Sequence, residues 1–326
     1  MRERKQILEL WQKLAERGES AVLATVVRTE GSSYRVPGAR MLLAENGERV
    51  GSISGGCLEA DVVKKAWWLT SKGPVLRKYD TTAEGEISTG GYGLGCNGVI
   101  YVWLERVTPD TPSVLPVLKT VAQTRRPATI AHNLGNSEVF IEKLTPPIRL
   151  LIFGAGDDAV PLAEVGNYVG WQVAVLDGRA HYARAEKFPF ADEVILRPAG
   201  SSPPAIDEWT VAAVMTHSYS QDLDVLRSLI DKPLRYLGVL GPRKRTEQLL
   251  AELGMSADSL PEMLHTPMGL DLGGDGPEQV ALAVLAEIQS VLGGRTGLSL
   301  RSRNAPIHSD KDGSEAQAWV KSIVCA

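Results

Sequence analysis

Arg149-Leu-Leu-Ile-Phe-Gly-Ala-Gly-Asp-Asp-Ala159 decides the fold of the second half of this chain. Residues 149–153 are a short apolar run stopped by glycine, the mark of a buried strand. Gly154, Gly156 and Ala159 fit the G-x-G-x-x-(G/A) turn that feeds such a strand into a helix. An apolar-periodic helix follows to about Val169, and a second strand, Gln172 to Asp177, ends on an acidic residue at the spacing the pattern demands. Farther on, strand candidates Glu193 to Leu196, Val211 to Met215 and Tyr236 to Leu240 alternate with helical stretches Leu223 to Ile230 and Lys244 to Leu253. Strand and helix in alternation specify a doubly wound parallel sheet of the Rossmann type.

The binding half of the fingerprint is less regular. Asp157 and Asp158 stand at the helix entrance, where a dinucleotide pyrophosphate would lie. Carboxylates there stabilise the helix dipole and repel a phosphate. Gly154, Gly156 and Asp177 are the candidate contacts for NAD(P) or another nucleotide, and Asp177 either holds ribose hydroxyls or caps a turn. Arg243-Lys-Arg245 follows a strand end, which suits a phosphate contact or a solvated helix start. Pro277 suits the first position of a helix reaching Leu292.

Leu144-Thr-Pro-Pro-Ile148 separates this half from the first, because paired prolines neither continue a helix nor join a sheet interior. The expected organisation is residues 1–144, a linker at 145–148, a Rossmann-like domain at 149–295 and a tail at 296–326. Within the first domain, Arg4 to Arg17 carries a helical apolar stripe and Ala21 to Val27 a buried strand. A polar loop, Thr29 to Arg40, leads into a hairpin of Met41 to Ala44 and Arg49 to Ile53, turned at Glu45-Asn-Gly47 where Asn-Gly accepts positive φ. Val75 to Tyr79 and Val99 to Val107 read as strands, Leu115 to Thr124 as a helix, and Ala128 to Ala131 with Val139 to Ile141 as closing strands. The fold class is thus α/β: a mixed α/β domain followed by a Rossmann-like one.

Two stretches of the first domain carry the chemistry. Gly51-Ser-Ile-Ser-Gly-Gly-Cys-Leu-Glu59 brings Cys57 to a helix start, where unpaired N–H groups favour a thiolate and receive an anion. Gly93-Leu-Gly-Cys-Asn-Gly98 repeats the recipe around Cys96. Gly55, Gly56 and Gly95 let the backbone approach a ligand closely. The competing reading is that free cysteines are often simply buried and that Gly-Gly is a tight turn. Arg35 and Arg40, in the polar loop, present forked donors suited to a phosphate or a carbonyl group of a cofactor.

Composition bounds the rest. At 326 residues with a formal charge of −4 and a pI near 5.8, the chain lacks the basic surface of a general nucleic-acid binder. No run approaches the ~18 apolar residues of a membrane span. Three cysteines fit a reducing compartment, so a cytoplasmic setting is expected. The five histidines show no ligand spacing, and no Walker, nucleophile-elbow or His-Glu-x-x-His pattern occurs.

Gly31-Ser-Ser-Tyr-Arg35 with Gly38-Ala-Arg-Met41, then Gly51 to Ala60, then Gly93-Leu-Gly-Cys96, together resemble the XdhC/CoxI family of xanthine dehydrogenase accessory factors. The second half is similar to that family's Rossmann domain through Leu150 to Gly156, Tyr236 to Gly241 and Pro267 to Asp271. The resemblance implies a chaperone rather than a catalyst. Such a protein binds molybdenum cofactor (molybdopterin), shelters it while a terminal oxo ligand is replaced by sulfur from a cysteine desulfurase, and delivers it to an apo molybdenum hydroxylase. It also implies a homodimer, with Cys57 and Cys96 near the molybdenum or the pterin dithiolene. Departures are Asp157 and Asp158 where the family often has His-Val, Cys96-Asn-Gly98 for Cys-Gly-Gly, and Gly241-Pro-Arg243 for Gly-Ser-Arg. The alternative of another class is an NAD(P)-dependent oxidoreductase using Gly154, Gly156 and Asp177.

Overall fold

The computed structural model describes residues 2–81, 98–135, 137–255, 260–304 and 317–321. The chain divides into two compact units. The first holds residues 3–146 and the strand at 317–321, and the second begins at Pro147.

In the first unit, β1 (Ala21–Gly31), β2 (Arg40–Ala44), β3 (Arg49–Gly51), β4 (Val75–Asp80) and β5 (Gly98–Val107) form an antiparallel sheet in the order β3-β2-β1-β5-β4. Side chains alternate across a strand, and both faces of this sheet are covered. Val22, Ala24, Val26, Met41 and Leu43 pack with Val62 and Ala66 of helix α2 (Glu59–Leu69). Leu23 and Leu42 face the other way, against Ile7, Leu10 and Leu14 of α1 (Arg2–Glu16) and Leu115, Leu118 and Val121 of α3 (Val114–Thr124). Double coverage is why β1 and β2 read as unbroken apolar runs rather than as alternation.

β1 is longer than its apolar run. Val26 pairs with Val102 and Arg28 with Tyr101, so Val27 is an extra, bulged residue, buried against Trp103 and Phe140. A bulge bends its strand and strengthens local twist. Here it carries the polar end of β1 along β5 as far as the pair Gly31–Gly98, which delivers the loop 32–39 beside the start of β5. In the turn of the β2–β3 hairpin Gly47 takes positive φ (+88°), while Asn46 does not and instead accepts from the Glu48 amide. A second antiparallel sheet joins β6 (Ala128–Gly135), β7 (Glu138–Leu144) and the C-terminal β14 (Gln317–Lys321) in the order β14-β7-β6. The sequence gives no periodicity for that last strand, whose partner lies far back in the chain.

In the second unit, β8 (Arg149–Phe153), β9 (Gln172–Asp177), β10 (Glu193–Leu196), β11 (Thr210–Val214), β12 (Tyr236–Val239) and β13 (Leu264–His265) form a parallel sheet ordered β10-β9-β8-β11-β12-β13. With β8 counted as the first strand, this is the dinucleotide-binding order, reversing between β8 and β11. One face packs Leu150 and Ile152 against α4 (Ala159–Tyr168) and α7 (Pro277–Leu292). The other packs Leu151 and Phe153 against α5 (Tyr219–Leu229) and α6 (Arg243–Glu252). Among the described residues no helix is long and apolar enough to cross a membrane.

Candidate functional site

The Cys57 turn is built from within by Glu59. Its carboxylate folds back under the turn and accepts from the amides of Ile53 (3.1 Å) and Ser54 (2.9 Å), from Ser52 Oγ (2.9 Å) and from Ser54 Oγ. Ser54 Oγ in turn accepts from the amides of Gly56 (3.2 Å) and Leu58 (3.1 Å). One buried carboxylate and one hydroxyl therefore satisfy donors that the helix start would otherwise leave open. Burial by itself would raise the Glu59 pKa. The hydrogen bonds from Ser54 and Ser52 outweigh that and hold it at about 2.

What this frame presents is glycine backbone and sulfur. Gly55 and Gly56 are exposed and Cys57 is a half-buried free thiol, two residues ahead of the first residue of α2. Gly56 adopts φ +116°, which a side-chain-bearing residue rarely takes. The amides of Gly55 and Cys57 have no partner among the described residues. The loop 32–39 borders this turn. Tyr34 lies against Gly55, and a Cβ built on Gly98 would stand 2.2 Å from the Ser32 carbonyl oxygen, so β5 starts in contact with the same loop. Thr81 and Gly98 are bonded to each other in both directions, through the Thr81 amide to the Gly98 oxygen (2.9 Å) and the Gly98 amide to Thr81 Oγ1 (3.3 Å). Cys96 and Gly95 lie outside the described residues.

The two arginines have different fates. Arg35 pairs with Glu3 of α1 while its Nε is enclosed without a partner, and Ser33 Oγ donates to its carbonyl oxygen (2.8 Å). Arg40 is buried: Nη1 donates to Glu142 Oε1 (3.0 Å) and to the Gly38 oxygen (2.9 Å), and Nη2 pairs with Glu142 Oε2. Its fork is occupied by a carboxylate of β7 rather than by a ligand. Sequence reasoning had no access to that partner, 102 positions away. It also passed over Glu59 and Tyr34, although an acidic residue in the first turn of a helix and an aromatic in a polar loop are both visible signals.

In the second unit the carboxylates at the fingerprint turn are paired within the protein. Gly154 has φ +117°, and a Cβ there would meet the Met215 oxygen at 2.3 Å, so only glycine fits beneath β11. Asp177 is buried and accepts from the Ala155 amide (2.8 Å) and from the amide, Nε and Nη2 of Arg179 (2.8, 2.9 and 2.8 Å). Burial opposes its charge, but the Arg179 and Ala155 hydrogen bonds prevail and lower its pKa. Asp158 Oδ2 pairs with His217 Nε2 (2.7 Å), and Oδ1 lies 2.5 Å from where a Gly156 Cβ would stand. Asp157 binds Lys187 Nζ (2.7 Å), whose ammonium holds that carboxyl below its usual range. His217 itself sits at φ +58°, at the end of β11 where the strand order reverses. Among the described residues no group of three or more His, Cys, Asp or Glu is placed to hold a metal ion.

Comparison with known proteins matches both units. Residues 14–80 fit the XdhC and CoxI family and residues 150–288 the XdhC Rossmann domain. A Bacillus subtilis protein, described as a probable xanthine dehydrogenase subunit, is 33% identical over 84% of this chain and 94% of its own length. The chain belongs to the XdhC and CoxI family. Within it, the molybdenum cofactor insertion chaperone PaoD of Escherichia coli is 28% identical over 84% of each chain. A crystal structure of a xanthine dehydrogenase from Bacillus halodurans superposes with a TM-score of 0.75 at 30% identity, covering 91% of this chain and 98% of that one. The XdhC and CoxI match includes the whole Cys57 turn and the loop before it, and the Rossmann match includes the fingerprint turn.

Proposed function

We propose that this chain is a maturation factor for a molybdenum hydroxylase of the xanthine dehydrogenase class. In this reading residues 1–144 receive molybdenum cofactor as cargo, hold it while a cysteine desulfurase supplies the terminal sulfur, and release it to the apo hydroxylase, the factor acting as a cytoplasmic homodimer. The observation that carries the reading is a half-buried free thiol on a glycine turn whose shape is fixed from below by buried Glu59. The names of the relatives from Bacillus subtilis and Escherichia coli support the same role.

The donor set fits such a cargo. A thiol is a soft ligand matched to molybdenum and sulfur, and the amides of Gly55 and Cys57 suit a terminal phosphate. The Glu59 charge is engaged by its own four donors and is shielded from an anionic guest. Cys57 provides one sulfur, and Cys96 with Gly95, just before Gly98 in the sequence, provides the other. Arg35 steadies the loop beside the turn through Glu3, and Arg40 acts from inside the fold by anchoring β2 to β7.

The alternative, an NAD(P)-dependent oxidoreductase, needs the α4 entrance and Asp177 free, yet Asp158, Asp157 and Asp177 are all engaged by neighbours. To test the proposal, the protein is incubated with molybdenum cofactor, desalted, and its molybdenum measured by mass spectrometry. Retention by wild type and its loss in Cys57→Ala, Cys96→Ala is expected. Equal retention by both proteins would overturn the reading.

A further inference from the structure

Tyr34 is an aromatic side chain left 69% exposed in a loop that is otherwise tied down. The Gly38 amide bonds the Val26 oxygen (2.8 Å), the Ala39 amide bonds the Val36 oxygen (3.1 Å), and Ser33 and Arg35 are held as described above. Its Cγ and Cδ1 lie 3.8 Å from the position a Gly55 Cβ would take, so the ring borders the turn that carries Cys57. A Tyr beside a glycine turn with most of its surface facing solvent loses little entropy on receiving a second planar group, having only two side-chain torsions. Gly55 and Cys57 are two residues apart, so their Cα atoms lie within about 7 Å of each other and the ring and the thiol flank the same short turn.

We propose that Tyr34 is the stacking platform for the pterin ring of the cargo, so that the site recognises a planar heterocycle as well as a soft metal–sulfur centre. The inference rests on the molybdenum-cofactor reading and deepens it. It assigns the heterocycle to Tyr34, the molybdenum–sulfur end to Cys57 and the phosphate to the neighbouring amides. Stacking against an aromatic side chain is worth about tenfold in affinity per ring, and it tolerates changes in ring substituents because every such ring has a π-face.

The test is titration of wild type, Tyr34→Phe, Tyr34→Leu and Tyr34→Ala with cofactor released from a purified molybdenum enzyme. Retained molybdenum is read by mass spectrometry, and ring contact by quenching of the fluorescence of a fully oxidised pterin titrated in parallel. Wild type and Tyr34→Phe are expected to bind alike and to quench. Tyr34→Leu and Tyr34→Ala are expected to bind about tenfold more weakly without quenching, at an unchanged melting temperature because the side chain is largely exposed. Leu or Ala variants that bind and quench like wild type would overturn the platform while leaving the cargo reading intact. Failure of wild type to retain molybdenum would overturn both, and retention without quenching would overturn the platform alone.

Discussion

Replacing Glu59 by glutamine keeps the shape of the side chain and removes its charge. In the wild type that charge is held at a pKa of about 2 against an ordinary value of 4.5. The gap is worth about 3 kcal/mol of folding free energy at neutral pH. Because the folded value is the lower one, the contribution is complete above pH 4.5 and drains away as pH falls toward 2, with about 2 kcal/mol gone by pH 3. The glutamine oxygen, standing in for Oε1, can still accept from the amides of Ile53 and Ser54, but its NH2 faces Ser54 Oγ, which already serves Gly56 and Leu58 and loses its own acceptor. Glu59→Gln is therefore expected to cost about 2–3 kcal/mol at pH 7, the range for hydrogen bonds to charged groups. Glu59→Ala should cost more, since it strands the amides of Ile53 and Ser54 inside the fold. The assay is urea-dependent hydrogen exchange in peptides spanning residues 52–69, read at pH 7 and pH 3, which isolates this turn from the second unit. The wild-type advantage over Glu59→Gln should shrink to about 1 kcal/mol at pH 3. An advantage below about 0.5 kcal/mol at pH 7, or one equal at the two pH values, would refute the account of the turn.

Two further outcomes follow from charges already paired within the protein. Arg40→Met should destabilise the first unit by about 3 kcal/mol in urea unfolding, because it removes both guanidinium contacts from buried Glu142 and leaves it only His132. Adding Glu142→Leu should recover only part of that loss, since His132 then loses its own buried carboxylate partner, whereas a double variant more unstable than the single one would contradict the pairing. Calorimetric titration of wild type with NAD and NADP should give no binding heat, since the α4 entrance and Asp177 are already occupied from within. Micromolar binding at that site, abolished by a larger residue at Gly156, would count against this reading.

Local spacing was informative wherever an element's identity depends on its own residues. The apolar run 149–153, the Gly154 turn and the acidic end of β9 are a strand, a sharp turn and a strand in the fold, in the register that the fingerprint requires. The same holds for α1 and α3, whose apolar stripes are the faces that pack on the first sheet. Cys57 falls beside a helix start, as the paired glycines suggest, although two residues ahead of it rather than within it. The extension of β1 was not legible, because Arg28, Thr29 and Glu30 are polar and join the sheet only through β5, some 70 positions later. A charged loop residue such as Arg40 looks like a ligand contact until its carboxylate partner arrives from β7.

By itself, then, the sequence determined the class of each domain, the identity of the glycine turns and the family to which the chain is similar, since these depend on residue type at short spacing. Only the tertiary structure decided which charged groups remain available. Whether Asp177, Arg40 or Asp158 meets a ligand depends on a partner brought close by the fold, and a buried charge takes the nearest compensating group within the protein. The tertiary structure also brought Tyr34 beside Gly55 and the Ser32 carbonyl close to Gly98, neither of which local spacing shows.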